Sequence, residues 1–295
     1  MTSTPSPIQP PTSEAEAARL AARYGLRRVD RKPSLGEYVA QLWRNRAFIT
    51  ELASAKARSK NENNYLGQLW AALNPLMLAG AYYLIFGMLL RTDDGVDNFV
   101  GFLVIGIFLF AFFSAALTTG SRAIVDNQAM IRALRFPRAA LPLSIAMAEI
   151  IALLPALVVM VVVIFASGEQ PRWTWLLMPV AVALMFLFST GIAMVGARVA
   201  SDSRDLLNLI PLLTRLLRYI SGVFFSISVY AGDGPVGQAL QYQPVAVYLD
   251  LVRWCMLADV EQKPILWVFG VGWAVLFVAG GLVLFWRAEH RYGRE

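Results

Sequence analysis

Arg215 and Arg218 stand three residues apart in the otherwise apolar stretch "NLIPLLTRLLRYISGVFF", Asn208–Phe225. Two guanidiniums on one helical face match phosphate or diphosphate oxygens through charge-assisted hydrogen bonds. Left on lipid, each would cost at least about 2.5 kcal/mol. They must therefore snorkel to headgroups, pair with an acid, or line a hydrated path. The acid clearly inside an apolar run is Glu149, the candidate charge partner. The plain reading is snorkelling with a structural ion pair; the sharper one is a path that attracts a phosphate-bearing cargo.

Other chemistries are excluded by what the chain lacks. No GxxxxGKS/T phosphate loop occurs, so ATP is not bound here through a Walker-type site. No HExxH, GxSxG or Ser/His/Asp set appears, and the single His290 lies in a polar tail. The lone Cys255 forms no internal disulfide, and no Cys/His cluster offers a metal site. One intramembrane acid is too few for a proton relay, and no inverted repeat points to a secondary transporter. The chain is expected to hold no catalytic residue, cofactor or metal, and to draw its energy from a partner.

The positioning elements follow from composition. Of the residues, 57% are hydrophobic and 16% charged, against about 45–50% and 25% in soluble domains. Long apolar runs mark an all-α integral membrane protein. Six spans are predicted: Leu66–Leu90, Phe99–Leu117, Ala139–Ala166, Trp173–Ala197, Leu206–Tyr230 and Ile265–Trp286. The fifth must start near Leu206. Beginning it after Arg218 would leave only Tyr219–Tyr230, about 18 Å of helix, for a hydrocarbon core of about 30 Å. Pro211 is placed to bend it.

Residues 1–33 read as a disordered, basic tail opening on "MTSTPSPIQPPTS", with no apolar region of a signal peptide. Residues 34–65 form an interfacial helix and linker, 66–290 the six-span domain, and 291–295 a tail. Within Ser34–Ala55, residues Leu35, Tyr38, Val39, Leu42, Trp43, Phe48 and Leu52 fall largely on one face. That pattern suits an amphipathic helix at the membrane surface or one packed on a soluble partner. Lys and Arg set the orientation. Eleven precede Leu66, and Arg122, Arg132, Arg135, Arg138, Arg198, Arg204, Arg287, Arg291 and Arg294 share their side. Arg91, Arg172, Arg253 and Lys263 face the other. Both termini are thus expected in the cytoplasm of a multi-pass protein of the cytoplasmic membrane. The net charge of +6 reflects this asymmetry rather than a nucleic-acid partner.

Two connections stand out. The cytoplasmic one, Ser121–Arg138, has a helix-compatible run over Ala123–Leu134, ended by "RFPR", where Pro137 biases Phe136 away from helix. Ser121, Arg122, Asp126, Asn127, Met130, Ile131, Arg132, Arg135, Phe136, Pro137 and Arg138 would form the element a cytoplasmic motor pushes, or an ordinary basic loop. The external one, 231–264, contains the apolar "PVAVYLDLVRWCML", with Tyr248 and Trp254 available at the interface. It reads as a re-entrant helix pair or an interfacial helix. Tyr82, Tyr83, Phe224, Phe225 and Tyr230 crowd the external half, as stacking surfaces for sugars or as lipid-belt aromatics.

At "NYLGQLWAALNPLMLAGAYYLIFGMLL" the chain resembles the ABC-2 permeases that export polysaccharides and polyol phosphates: the O-antigen, capsule, teichoic acid and galactan exporters. The likeness continues through "IRALRFPRAALPLS", "SRDLLNLIPLLTRLLRYISGVFFSI", "QPVAVYLDLVR" and the tail "FWRAEHRYG". It covers about residues 35–293. It departs where Lys60–Tyr65 replaces a Y-K-x-S pattern and where Gln243-Pro244 replaces N-P. In style it is similar to the actinobacterial branch. The resemblance implies a homodimer working with two copies of a separate ATPase subunit, which binds ATP and Mg. It implies a gate helix at Ser34–Ala55, a coupling element at Ser121–Arg138 and a re-entrant pair at 231–264. The implied cargo is a polyprenyl-diphosphate-linked envelope glycan, handled among membrane lipids. Rival readings are a permease for a drug or lipid, a membrane enzyme on polyprenyl phosphates using Glu149, Arg215 and Arg218, and a passive channel.

Overall fold

Helix α4, Phe99–Ser121, shows why the bundle forms where it does. Asn98 accepts the Gly101 amide at 2.9 Å, satisfying one of the donors a helix start leaves unpaired. The run that follows is apolar on every side, so it is stable only when surrounded by protein or lipid. It is surrounded mostly by protein: 78% of its most apolar stretch is buried, against 11% for Trp70–Leu89. The computed structural model describes residues 33–60, 69–89, 96–232, 234–261 and 263–289. Residues 1–32 of the predicted disordered tail, the Leu66–Gln68 opening and the Leu90 end of the predicted first span, and the C-terminal residues from His290 lie outside them.

The chain runs α1 Leu35–Arg44, α2 Arg46–Ser59 and α3 Trp70–Tyr82, which continues as a π-helix to Leu89. After α4 come α5 Gln128–Ala133, α6 Ala140–Ala166, a 3₁₀ turn Trp173–Leu177 leading into α7 Met178–Asp202, and α8 Leu206–Ile220. Short helices α9 Ile227–Ala231, α10 Pro235–Gln241 and α11 Pro244–Met256 precede α12 Ile265–Ala288. Five helices among the described residues are long and apolar enough to cross a bilayer: α3 with its π extension, α4, α6, α7 with its 3₁₀ turn, and α12. Helix α4 lies among α3, α6, α7 and α8, and α7 also packs on α12.

Small residues allow these helices to approach closely, which matters where apolar surfaces have lipid as an alternative partner. A Cβ on Gly191 of α7 would collide with the Phe277 and Val278 backbone of α12. One on Gly281 would lie 2.9 Å from Met194 Cβ. One on Gly120 would lie 2.5 Å from Ala193 Cβ, between α4 and α7.

Three expectations change in the structure. The predicted fifth span, Leu206–Tyr230, is not one helix. Helix α8 stops at Ile220 after about 22 Å, and Gly222 takes the left-handed φ of +64°, open to glycine at little cost. The chain turns inward there: Val223 and Phe224 are buried, and the Gln243 side chain donates to the Ile220 carbonyl at 2.8 Å. The predicted interfacial helix is two helices meeting at Asn45. Its apolar face also divides: Tyr38 and Leu42 are buried in the bundle, whereas Leu35, Val39 and Trp43 stay exposed. Tyr248, placed at the interface from sequence, is fully buried and donates to the Gly270 carbonyl at 2.7 Å.

Adding side-chain volume at the α7–α12 contact should cost about 1–3 kcal/mol. Gly191→Val is therefore expected to unfold earlier than the parent in detergent, followed by circular dichroism on heating. Gly272→Val, where an added carbon meets nothing within 4 Å, should unfold with the parent.

Candidate functional site

The predicted coupling element is built in three parts. Arg122–Asn127 form turns, held by the Asp126 amide on the Arg122 carbonyl at 2.9 Å. The Asn127 side chain donates to the Ala123 carbonyl at 2.7 Å. That side-chain bond favours a turn over helix, so α5 covers only Gln128–Ala133 rather than the whole Ala123–Leu134 run. Leu134 is already extended, at φ −123° and ψ 144°. Ser121, Ala123, Ile124, Ile131 and Pro137 are buried, and Arg122, Asn127, Met130, Phe136 and Arg138 are half-buried. Asp126, Arg132, Leu134 and Arg135 are exposed, leaving a mixed apolar and charged face outward.

The buried side of this element joins the two N-terminal helices. Ile124 and Ile131 share an apolar cluster with Tyr38, Leu42, Ile49 and Phe285, separate from the larger core around α4. The rings of Phe48 and Phe136 lie 5.1 Å apart. A polar junction sits at the rim. Glu289 accepts from the Tyr38 hydroxyl at 2.9 Å, from the Arg138 amide at 3.3 Å and from Arg138 Nη1 at 3.0 Å. The Tyr38 oxygen in turn accepts the Ala139 amide at 3.2 Å. Trp286 donates to the Pro33 carbonyl at 2.7 Å. The start of α1, the end of α12 and the end of the coupling element are thereby tied together.

The charges inside the bundle are partnered differently from expectation. Glu149 does not pair with Arg215 or Arg218. Lys60, one residue beyond α2, holds its two carboxylate oxygens at 2.8 and 2.9 Å. Helix α2 lies along α6, which carries Lys60 to Glu149, and the Thr119 hydroxyl lies 3.4 Å from the carboxylate. Arg218 is half-buried, with its guanidinium 5.3 Å from the centre of the Phe110 ring. Arg215 is exposed. The two share a helix but not an environment.

The aromatics fall into separate groups. Tyr82 lies 4.2 Å from Phe224, and Phe86 and Tyr219 join them. Phe224 is buried, so it is a packing ring rather than an open stacking surface. Phe225 meets Tyr230 edge-on at 5.7 Å, while Tyr83 lies apart, beside Phe99. Arg253 of α11 is 1% exposed. It stacks 3.4 Å over Phe102, contacts Asp250 at 3.1 Å, and donates to the Val223 and Phe102 carbonyls at 3.2 and 3.4 Å.

The ABC-2 type transporter family matches residues 52–257. The chain belongs to that family. An O-antigen export system permease protein RfbA of Myxococcus xanthus is 26% identical over 207 residues, 70% of this chain and 79% of the relative. Two proteins of the same name from Klebsiella pneumoniae are 29% identical over 181 residues (61% and 69% covered) and 24% identical over 249 residues (83% and 93% covered).

The ABC-2 match takes in the predicted coupling element, α8 and the α10–α11 pair, and stops before α12. Within it, sequence reasoning missed two charged groups. Arg253 had been counted only as a loop cation, although Asp250, three residues earlier on the same helix, was a readable signal. The Lys60–Glu149 pair had none, because its partners lie 89 residues apart. Glu149 is buried, so removing Lys60 leaves its carboxylate uncompensated. Lys60→Met should therefore be less stable than Lys60→Met with Glu149→Gln, by on the order of 1–3 kcal/mol. Equal unfolding midpoints in detergent would contradict that pairing.

Proposed function

We propose that this chain is the membrane subunit of an ABC exporter that carries a polyprenyl-diphosphate-linked envelope polysaccharide outward across the cytoplasmic membrane. The observation that carries this reading is the similarity to O-antigen export permeases, which extends over 61–83% of the chain. The cargo is a galactan or a teichoic-acid- or O-antigen-like polymer. Two copies of the chain form the pathway, and two copies of a separate ATPase subunit supply the energy. Both termini lie in the cytoplasm, and α10 and α11 are the re-entrant pair on the outer side.

In this mechanism the ATPase docks on the exposed face carrying Asp126, Arg132, Leu134 and Arg135. Its movement on ATP binding shifts the coupling element, and the Phe48–Phe136 contact with the Glu289 junction carries that shift to α1 and α2. The exposed apolar faces of α3 (Met77, Leu84, Met88) and α8 (Leu209, Leu212, Leu216) suit a second copy and lipid. Arg215 and Arg218 attract the diphosphate of the cargo, where few competing waters strengthen the contact. Exposed Tyr83 and Tyr230 offer stacking surfaces that tolerate many sugars.

Depletion of the chain is expected to strip the glycan from the cell surface and to leave lipid-linked glycan accumulating inside. Arg215→Gln with Arg218→Gln should reproduce that loss while dimer and ATPase still co-purify. An unchanged envelope glycan after depletion would refute the reading and favour a drug or lipid as cargo.

A further inference from the structure

A cleft of about 210 Å³ opens between α3, α4 and α6, which pack pairwise against one another. The Lys60–Glu149 pair and Asn74 of α3 give it a polar end. Its walls continue with Ala111 and Ala115 of α4 and with Ala152 and Ala156 of α6. Helix α4 ends and α6 begins at the Ser121–Arg138 connection, so the two run antiparallel. The Thr119 hydroxyl, 3.4 Å from the Glu149 carboxylate, marks their register. Moving away from that contact, Ala115 and Ala152 come first, then Ala111 and Ala156. The apolar trough from Glu149 to Ala156 is about 10 Å long at the helical rise. Of α4, only Ala111 and Thr119 are exposed, so the central helix is most open along this cleft.

The order of these groups is that of a phospholipid read inward from the membrane surface. The Lys60 ammonium carries three donors, and the Glu149 oxygens take contacts at 2.8 and 2.9 Å. Its side chain is 48% exposed, which leaves a donor turned outward for a phosphate oxygen. Asn74 is exposed on a helix apolar enough to cross a bilayer. Its carboxamide has no hydrogen-bond partner among the described residues. An unpaired amide in apolar surroundings is costly, and a lipid ester carbonyl supplies its acceptor. Beyond Asn74 the walls offer only apolar contact. A helix, about 10–12 Å across, is too wide for this volume, whereas a single hydrocarbon chain fits. We propose that the cleft holds a phospholipid, with one acyl chain in the alanine trough and its phosphate at Lys60. The trough suits an unbranched chain better than a polyprenyl chain, which carries a methyl branch on every fourth carbon. In the orientation proposed above the lipid belongs to the cytoplasmic leaflet. It goes beyond the export reading, as a bound component of the subunit that braces the end of α2 against α6.

The test is native mass spectrometry of the purified full chain in detergent, titrated with dioleoylphosphatidylglycerol. Saturable retention of one lipid per chain is expected. Ala111→Phe, whose ring occupies the trough, should weaken retention about tenfold, the loss of a few buried methylenes. Asn74→Leu should weaken it about fivefold, the loss of one hydrogen bond. Leu154→Phe, on the exposed side of α6 outside the cleft, should bind as the parent does. Undecaprenyl phosphate should not displace the bound lipid. Absence of saturable retention overturns the proposal, as does undiminished retention in folded Ala111→Phe. Displacement by undecaprenyl phosphate overturns it in favour of the cargo's own lipid. A dimer lost in Ala111→Phe with lipid retention intact overturns it in favour of a second copy in the cleft. Should Ala111→Phe fail to fold, parental retention in Asn74→Leu overturns it instead.

Discussion

The apolar cluster that joins Ile124 and Ile131 to Tyr38, Leu42, Ile49 and Phe285 is the contact on which the rest depends. It gathers the N-terminal helices, the predicted coupling element and the end of α12, which are distant in sequence. Side chains packed at interior density transmit displacement instead of absorbing it. The Glu289 junction adds direction to that contact, because its carboxylate holds Tyr38 and Arg138 at once. The exposed face of α5 therefore cannot shift far without disturbing α1.

A second constraint is the cost of charge away from water, which each ionised group meets differently. Lys60 neutralises Glu149 where α2 meets α6. Arg253 stacks on Phe102 and donates to the Val223 carbonyl left by the break after α8. Arg218 lies against Phe110, an attraction strongest where water is scarce. Arg215 remains exposed. The pair that looked equivalent in sequence is thus split into one anchored and one available cation, an arrangement compatible with a pathway residue supported by its neighbour.

Most of the bundle was legible because hydrocarbon restricts the chain to apolar helices of sufficient length. Runs such as Phe99–Ser121 and Ile265–Ala288 announce themselves. The segment 206–230 misled because hydropathy registers composition and not backbone conformation. Ser221-Gly222 is a weak signal inside an apolar run, and the turn is held by Gln243 and Arg253 from later in the chain. Of the candidate site, a short helix ended by the Pro137 segment in the connection before α6 was legible from helix-compatible residues and that proline. The partner of Glu149 was not, since periodicity describes which face a residue occupies and not what approaches it from another helix.

The most direct measurement is export per ATP hydrolysed, in vesicles containing the chain and its ATPase, for Phe48→Ala with Phe136→Ala. These rings touch across the junction between the N-terminal helices and the coupling element and lie outside the proposed cargo path. If that junction carries the motor's movement, hydrolysis persists near the parental rate while export per ATP collapses. Export per ATP equal to that of the parent would contradict it.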